Sequence, residues 1–289
     1  MVAALDTIVQ GILLGGLYAL YAAGLSLIFG IMRLVNLAHG DLIVFAAFLI
    51  LLIANTLGID TVFAFVIALP VMFVIGYGLQ TLLFNRTLGP DILPPLLVTF
   101  GLSIVIQNGL LEVFSADTRR LPIGAIAGSS IPLGGGIAVG VMPLLNLTAA
   151  VLVVLMLNGL FYRTALGRAF RATSDDSETA QLMGIDHRRI YATAMGLAMA
   201  ISAVAAFFLG SRATFDPTIG PARLIFAFEA VIIGGLGSLW GTLAGGIVVG
   251  VAQTIGARIN PEWQILAGHV AFLVVLVLKP RGLFPRTVD

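Results

Sequence analysis

Three groups of polar side chains in an otherwise apolar chain have the types and spacing to do chemistry. Asn36-Leu-Ala-His39-Gly40-Asp41 places an amide, an imidazole, a flexible glycine and a carboxylate together between two apolar runs. Such a group could be a broken helix whose polar side chains line a solute path, because unwound backbone at membrane depth is tolerated only inside protein or against a wet cavity. The plainer reading, an ordinary polar turn at a membrane surface, is the one that spacing favours. Glu229 is the one charge in the run from Leu224 to Ala257, five residues before a glycine break at Gly234, Gly235, Gly237 and Ser238. An intramembrane carboxylate is costly and is expected either to pair, with Arg223 or with His269 in the last apolar run, or to sit near the interface in water. His269 itself reads as a hydrogen-bonded packing histidine. The third group, Asp175-Asp176-Ser177-Glu178, has the form of a helix start, an acidic cap with a glutamate at the third helical position.

Other chemistries are excluded by composition. The chain has 289 residues, of which 59% are hydrophobic and 10% charged, with no cysteine and a net charge of +1; its mean hydropathy is +1.09. Soluble domains carry roughly 25% charged residues, so this composition belongs to an integral membrane protein. Without cysteine there are no disulfides, thiolate nucleophiles or thiolate metal sites. Lys279 is the one lysine and Pro280 follows it, so no phosphate-binding Gly-Lys-Ser/Thr loop exists and the chain is not expected to be an ATPase or other enzyme. His39, His187 and His269 are far apart and no His-Glu-x-x-His occurs, so no metal is expected. No basic run is long enough for nucleic acid. The N-terminus lacks the positive region of a signal peptide, and the first apolar run reads as a retained span.

A spanning helix needs about 20 apolar residues. The polar groups must therefore be positioned by about eight apolar segments, at 7–32, 42–59, 61–85, 94–114, 143–162, 190–210, 224–257 and 263–278. The fold class expected is all-α: one polytopic transmembrane domain over 1–289 with interrupted helices. Residues 115–142 hold Pro122, Gly124, Gly128, Pro132 and the triplet Gly134-Gly135-Gly136, and read as an external loop containing a small hairpin. Residues 163–189 form a polar island with five arginines, Arg163, Arg168, Arg171, Arg188 and Arg189. The positive-inside rule puts this island and the basic tail from Lys279 to Arg286 in the cytoplasm. The side of the N-terminus stays open. If island and tail are both inside, the chain between them must cross an even number of times. Treating 224–257 as two half-helices that meet at the glycine break and return to one face satisfies that count. Within the island, Asp175 to Gly184 is expected to be a short helix that Gly184 stops. It is either a solvated turn or a rigid docking element for a soluble partner. Small residues at Gly11 and Gly15, at Gly237, Gly241 and Gly245, and at Gly246 and Gly250 allow close helix approach, within the chain or at a seam with a second subunit.

These pieces together resemble the permease subunits of ABC importers for branched-chain amino acids, the LivH type. The matching segments are Gly16-Leu-Tyr18-Ala-Leu, Asn36-Leu-Ala-His-Gly40, Thr99-Phe-Gly-Leu-Ser-Ile with Gln107-Asn108, Gly167-Arg-Ala-Phe-Arg-Ala172, Ala180-Gln-Leu-Met-Gly-Ile185, Asp216-Pro-Thr-Ile-Gly220, and Gly234-Gly-Leu-Gly-Ser238 with Gly241. The resemblance implies a bacterial inner-membrane permease paired with a homologous second permease, or with a copy of itself. Two cytoplasmic ATPase subunits would consume the ATP, an extracytoplasmic binding protein would deliver the amino acid, and this chain would hold no cofactor of its own. It implies a coupling helix at Asp175–Gly184, with Asp175, Asp176, Glu178, Ala180 and Gly184 at the ATPase contact. Asn36–Asp41 and Gly234–Ser238 would be the broken elements near the path. Asp41 stands where a glutamate is frequent, and Glu229 where many members carry a small or apolar residue. Relatives of this fold carry urea, short amides and other amino acids as well. Two readings of another class compete: a proton-coupled carrier with Glu229 and His269 as the titrating pair, and a channel for small polar solutes built on its own oligomer.

Overall fold

A computed structural model describes residues 2–87, 89, 91, 93–134 and 137–284. Gly135 and Gly136 of the expected hairpin tip, Pro90 and the end of the basic tail lie outside those residues. The elements in order are α1 (Val2–Met32), α2 (His39–Leu57), α3 (Thr61–Leu82), α4 (Leu93–Phe114), β1 (Ser130–Gly134), β2 (Ile137–Gly140), α5 (Val141–Arg163), α6 (Ala165–Asp175), α7 (Ser177–Leu182), α8 (His187–Arg212), α9 (Gly220–Gly234), α10 (Leu239–Ile259) and α11 (Trp263–Leu278). Among the described residues, seven helices, α1–α5, α8 and α10, are long and apolar enough to cross a bilayer; α9 and α11 are shorter. The fold is an all-α, multi-pass bundle whose strands form one antiparallel hairpin in the expected external loop.

α1 and α8 are the buried centre, and their inward residues are small because neighbours pass close by. Gly15 packs on the backbone of Gly246 and Ile247, and Gly250 on Gly11 and Gly15. Gly241 and Gly245 meet Gly234 and Ala230 in the same way. The glycine stripes are thus consumed in α1–α10 and α9–α10 packing inside this chain, where a side chain would hold the helices apart.

Contacts define two ends. At one, the Ser174 hydroxyl of the island donates to the Gly30 carbonyl (2.7 Å), Gly30 packs on Gly237, and the tail N–H groups of Leu283 and Phe284 donate to Ile233 and Gly234 (2.8 and 3.0 Å). At the other, Gln10 reaches Ala138 of the hairpin (3.0 Å), Thr254 reaches Thr7 (3.1 Å), and Thr61 reaches Pro122 (2.5 Å). Island, glycine break and tail therefore share one end. The N-terminus lies at the opposite one.

That arrangement corrects the expected half-helices. The break at 235–238 does not lie between two halves returning to one face. It is the turn of an antiparallel α9–α10 hairpin at the island end, and α10 continues to the far end. The even count is kept because α9, only about 22 Å long, is completed by an unwound stretch at 213–219. Phe215 in that stretch is fully buried and pairs with Arg119 of the external loop through two 2.8 Å backbone bonds. Pro217, Gly220 and Pro221 are the reason that the helix starts late.

Candidate functional site

The two interrupted entries meet. α1 ends at Met32, Arg33 takes a left-handed φ of 53°, and the chain turns back up the bundle without helix until His39. The Nε2–H of His39 donates to the Tyr21 carbonyl (2.8 Å), about three turns inside α1. Asn36 closes the turn by accepting the Ala38 N–H (3.0 Å). Gly40 and Asp41 then lie against Gly220, the first residue of α9, so closely that a Cβ at either glycine would strike the other chain segment. The N-termini of α2 and α9 thus face each other from opposite ends of the molecule, with Asp41 between them. Both helix dipoles favour a carboxylate there. The Ser103 hydroxyl of α4 donates to Asp41 Oδ2 (2.5 Å), and Gln107 donates to Ser103 (3.1 Å).

Asn36, His39 and Asp41 are at most 1% exposed. This is not a solvated surface turn. Asn36 Nδ2, His39 Nδ1 and Asp41 Oδ1 are buried without a hydrogen-bond partner among the described residues.

A second polar cluster lies across α9. Glu229, buried, pairs with Nδ1 of His269 on α11, the partner across the helix contact and not Arg223. Phe226 stacks on the His269 ring with centroids 6.3 Å apart and planes 15° apart, and Tyr18 packs against Phe226 at 4.9 Å. The Tyr18 hydroxyl donates to Gln253 Oε1 of α10 (2.6 Å). The glycine break is held by backbone conformation: Gly235 and Gly237 take φ of 104° and 78°, Gly234 packs on Gly241, and the Ser238 hydroxyl caps α10 at the Gly241 N–H (3.2 Å).

The island is a strapped pair of helices. α6 folds back on the end of α5: Phe170 is fully buried against Phe161 (5.5 Å), and Arg171 donates to the Phe161 carbonyl while covering the Tyr162 ring (5.3 Å). Asp175 ends α6 and does not start the next helix, which corrects the expected cap by one residue. The cap is Asp176, which accepts the N–H groups of Glu178 and Thr179 (both 3.0 Å) and the Thr179 hydroxyl (2.6 Å). Thr179 therefore takes the third helical position and Glu178 the second. Those bonds, the Thr179 hydroxyl first, hold the Asp176 carboxyl below the usual carboxylate range. Ala180 anchors α7 inward at 4% exposure, Gly184 (φ 84°) stops it, and Leu182 and Met183 project outward at 87% and 79%.

Sequence reading singled out the Asn36–Asp41 group while favouring a surface turn for it, gave His269 as one of two partners for Glu229, and marked the capped helix. It missed Ser103 and Gln107 as partners of Asp41, and the buried unwound stretch at 213–219 before α9. Two polar residues one turn apart in an apolar span were the signal in α4; the Pro-Thr-Ile-Gly-Pro sequence was the signal for a late helix start.

A family model described as "Branched-chain amino acid transport system / permease component" matches residues 7–278. The high-affinity branched-chain amino acid transport system permease protein BraD of Pseudomonas aeruginosa is 30% identical over 98% of this chain and 96% of its own length. LivH of Escherichia coli, of the same description, is 27% identical over the same shares. LivM of Escherichia coli, another permease protein of that transport system, is 30% identical over 50% of this chain and 34% of its own length.

Proposed function

The chain belongs to the family of permease components of branched-chain amino acid transport systems, and from that premise we propose that it is the membrane-spanning subunit of an ABC importer for branched-chain amino acids. It lies in the bacterial inner membrane with the island and the tail in the cytoplasm. It pairs with a homologous second permease, takes solute from an extracytoplasmic binding protein, and holds no cofactor. Two ATPase subunits burn the ATP and push on α7.

The observation that carries this reading is the build of α7. It is capped by Asp176, stopped by Gly184, anchored by Ala180 and tipped with exposed Leu182 and Met183. A short helix fixed at both ends can transmit a displacement, and its apolar tip suits a groove in a soluble partner. The displacement has a route: α6 is tied to the end of α1 by Ser174–Gly30, and Gly30 rests on the glycine break below α9. α9 in turn meets Asp41 at the α2 crossing. The solute path follows the face formed by α4, α9 and α11, with the Asn36–Asp41 turn and the glycine break as the supports that move its wall.

The test is purification with the partner subunits from mild detergent. Replacing Asp176 and Glu178 together with Ala should weaken co-purification of the ATPases and depress transport while the second permease stays bound. Unchanged ATPase retention and unchanged uptake would remove the coupling assignment. The Glu229–His269 contact favours one second reading, the proton-coupled carrier. In that case Glu229→Gln abolishes uptake and its dependence on a proton gradient together, and uptake needs no ATPase.

A further inference from the structure

We infer that the face of α11 carrying His269 is covered by the second permease subunit, with the Glu229–His269 pair at the seam. The inference rests on the proposed permease pairing and names the surface through which it is made.

α11 is the outermost helix of its end of the chain, and only Gly268 is buried on it. Beyond Gln264 in its first turn, its exposed side chains, among them Ile265, Leu266, Val270 and Leu273, are apolar. His269 is the polar exception in the middle of the helix. Its side chain is 39% exposed, while Glu229 behind it is 5% exposed. The helix cannot rotate the imidazole inward. Gly268 lies against the Gln253 side chain, and Gly256 of α10 lies against Ala267 and the Trp263 carbonyl, so the α10–α11 seam fixes which side of α11 faces out. Phe226 stacked on the ring holds it in place.

A half-exposed imidazole bonded to a buried carboxylate, in the middle of an apolar helix, is poorly matched to hydrocarbon. Ionisable groups at that depth face protein or a wet cavity. The exposed polar side chain Asn108 on α4 differs: it is uncharged and bonds its own helix, donating to the Ile104 carbonyl (2.8 Å). Among the described residues only Nδ1 of His269 is bonded, which leaves its Nε2 for a group outside this chain. The neighbouring stripe of α9, Ile225, Phe228 and Ile232, continues the same face, apolar and partly open. A membrane-embedded helix of a second permease, offering one polar group opposite the imidazole, fits such a surface. Lipid does not.

The absence of cysteine from the sequence makes a direct test available. Single cysteines at Leu266, Val270 and Leu273 would be combined in the whole importer with a scan of cysteines along the second permease, and compared with cysteines at Phe63 and Leu152 on outward faces of α3 and α5. Oxidative cross-links from the α11 positions, with none from the α3 and α5 positions, are expected. His269→Phe should lower retention of the second permease during purification, while His269→Asn should restore it. A second permease that co-purifies but cross-links through α3 or α5 alone would overturn this inference and leave the importer reading intact. A chain that transports with no second permease at all would instead overturn that reading. Should His269→Phe misfold, labelling Val270→Cys in the assembled importer with a quencher carried on lipid tails decides the matter: shielding supports the seam, and quenching equal to that at Phe63→Cys defeats it.

Discussion

Asp41 is supported from α4 by Ser103 and by Gln107 behind it, and the short Ser103 bond makes Ser103 the residue to test at this scale. The Ser103 hydroxyl satisfies Oδ2, while Oδ1 has no partner among the described residues. Ser103→Ala removes the shortest bond to a buried carboxylate and breaks the Gln107–Ser103 link beside it. Losing a partner from a buried polar group costs about 1–3 kcal/mol, so the thermal midpoint in detergent should fall. Ser103→Thr keeps the hydroxyl and should restore it; equal midpoints for Ala and Thr would mean that the bond contributes nothing. Asp176 gives a prediction of the opposite kind, because it is exposed. Its carboxyl is depressed by the bonds that it accepts. The charged cap is therefore fully present above the ordinary carboxylate range, near pH 4, and is lost only as pH falls through the lower folded value. Retention of the ATPases through this cap should not change between neutral and mildly acidic buffers. A titration in that window would point to a different group at the contact.

At the scale of elements, the glycines at the α1–α10 and α9–α10 contacts set how close the helices come. Gly250 of α10 touches the backbone of Gly11 and Gly15, and Gly245 that of Ala230. Gly250→Val inserts a branched side chain where backbone already stands. Overpacking of this kind costs about 1–3 kcal/mol or more, and the variant should show a lower thermal midpoint or fail to accumulate in membranes. A normal midpoint would mean that α1 and α10 can separate without loss. The spans themselves were legible in the sequence because their boundaries are chemical: uncharged runs ended by Arg33, Arg86, Arg163 or Arg212, with 263–278 matched to the residue. The island helix α6 was not, because Arg168 and Arg171 read as a solvated loop until Phe170 is seen to bury itself under α5. The depth of the broken segments was not legible either. A polar turn at the surface and a polar turn beside Tyr21 have the same composition. Only the His39–Tyr21 and Asp41–Ser103 bonds, between residues far apart in sequence, distinguish them. Glu229 and His269 stood out as polar residues in apolar runs, but the sequence left Arg223 as an equal partner for Glu229, and only the α9–α11 contact chooses His269.

For the whole molecule, the proposed mechanism needs the two ends to face different compartments. The end with α7, the glycine turn and the tail must face the ATPases; the end with the N-terminus, the β-hairpin and the turns at 57–61 and 259–263 must face the binding protein. The contacts make this separation internal to the fold, since Ser174–Gly30–Gly237 joins one set and Gln10–Ala138 with Thr254–Thr7 joins the other. Once one exposed residue is assigned to a side, every other follows. Leu182 on α7 and Ile126 in the external loop are both exposed and lie at opposite ends, and a chain without cysteine gives no background to maleimide labelling. In intact cells whose outer barrier has been opened, a membrane-impermeant maleimide should label Ile126→Cys at once. It should label Leu182→Cys only after the inner membrane is breached, and then less when the ATPases are bound. The reverse pattern would place α7 outside, beyond reach of any cytoplasmic engine. Labelling of both in intact cells would mean that the two ends are not separated by a membrane at all, and the route from α7 through Gly30 to Asp41 would lose its purpose.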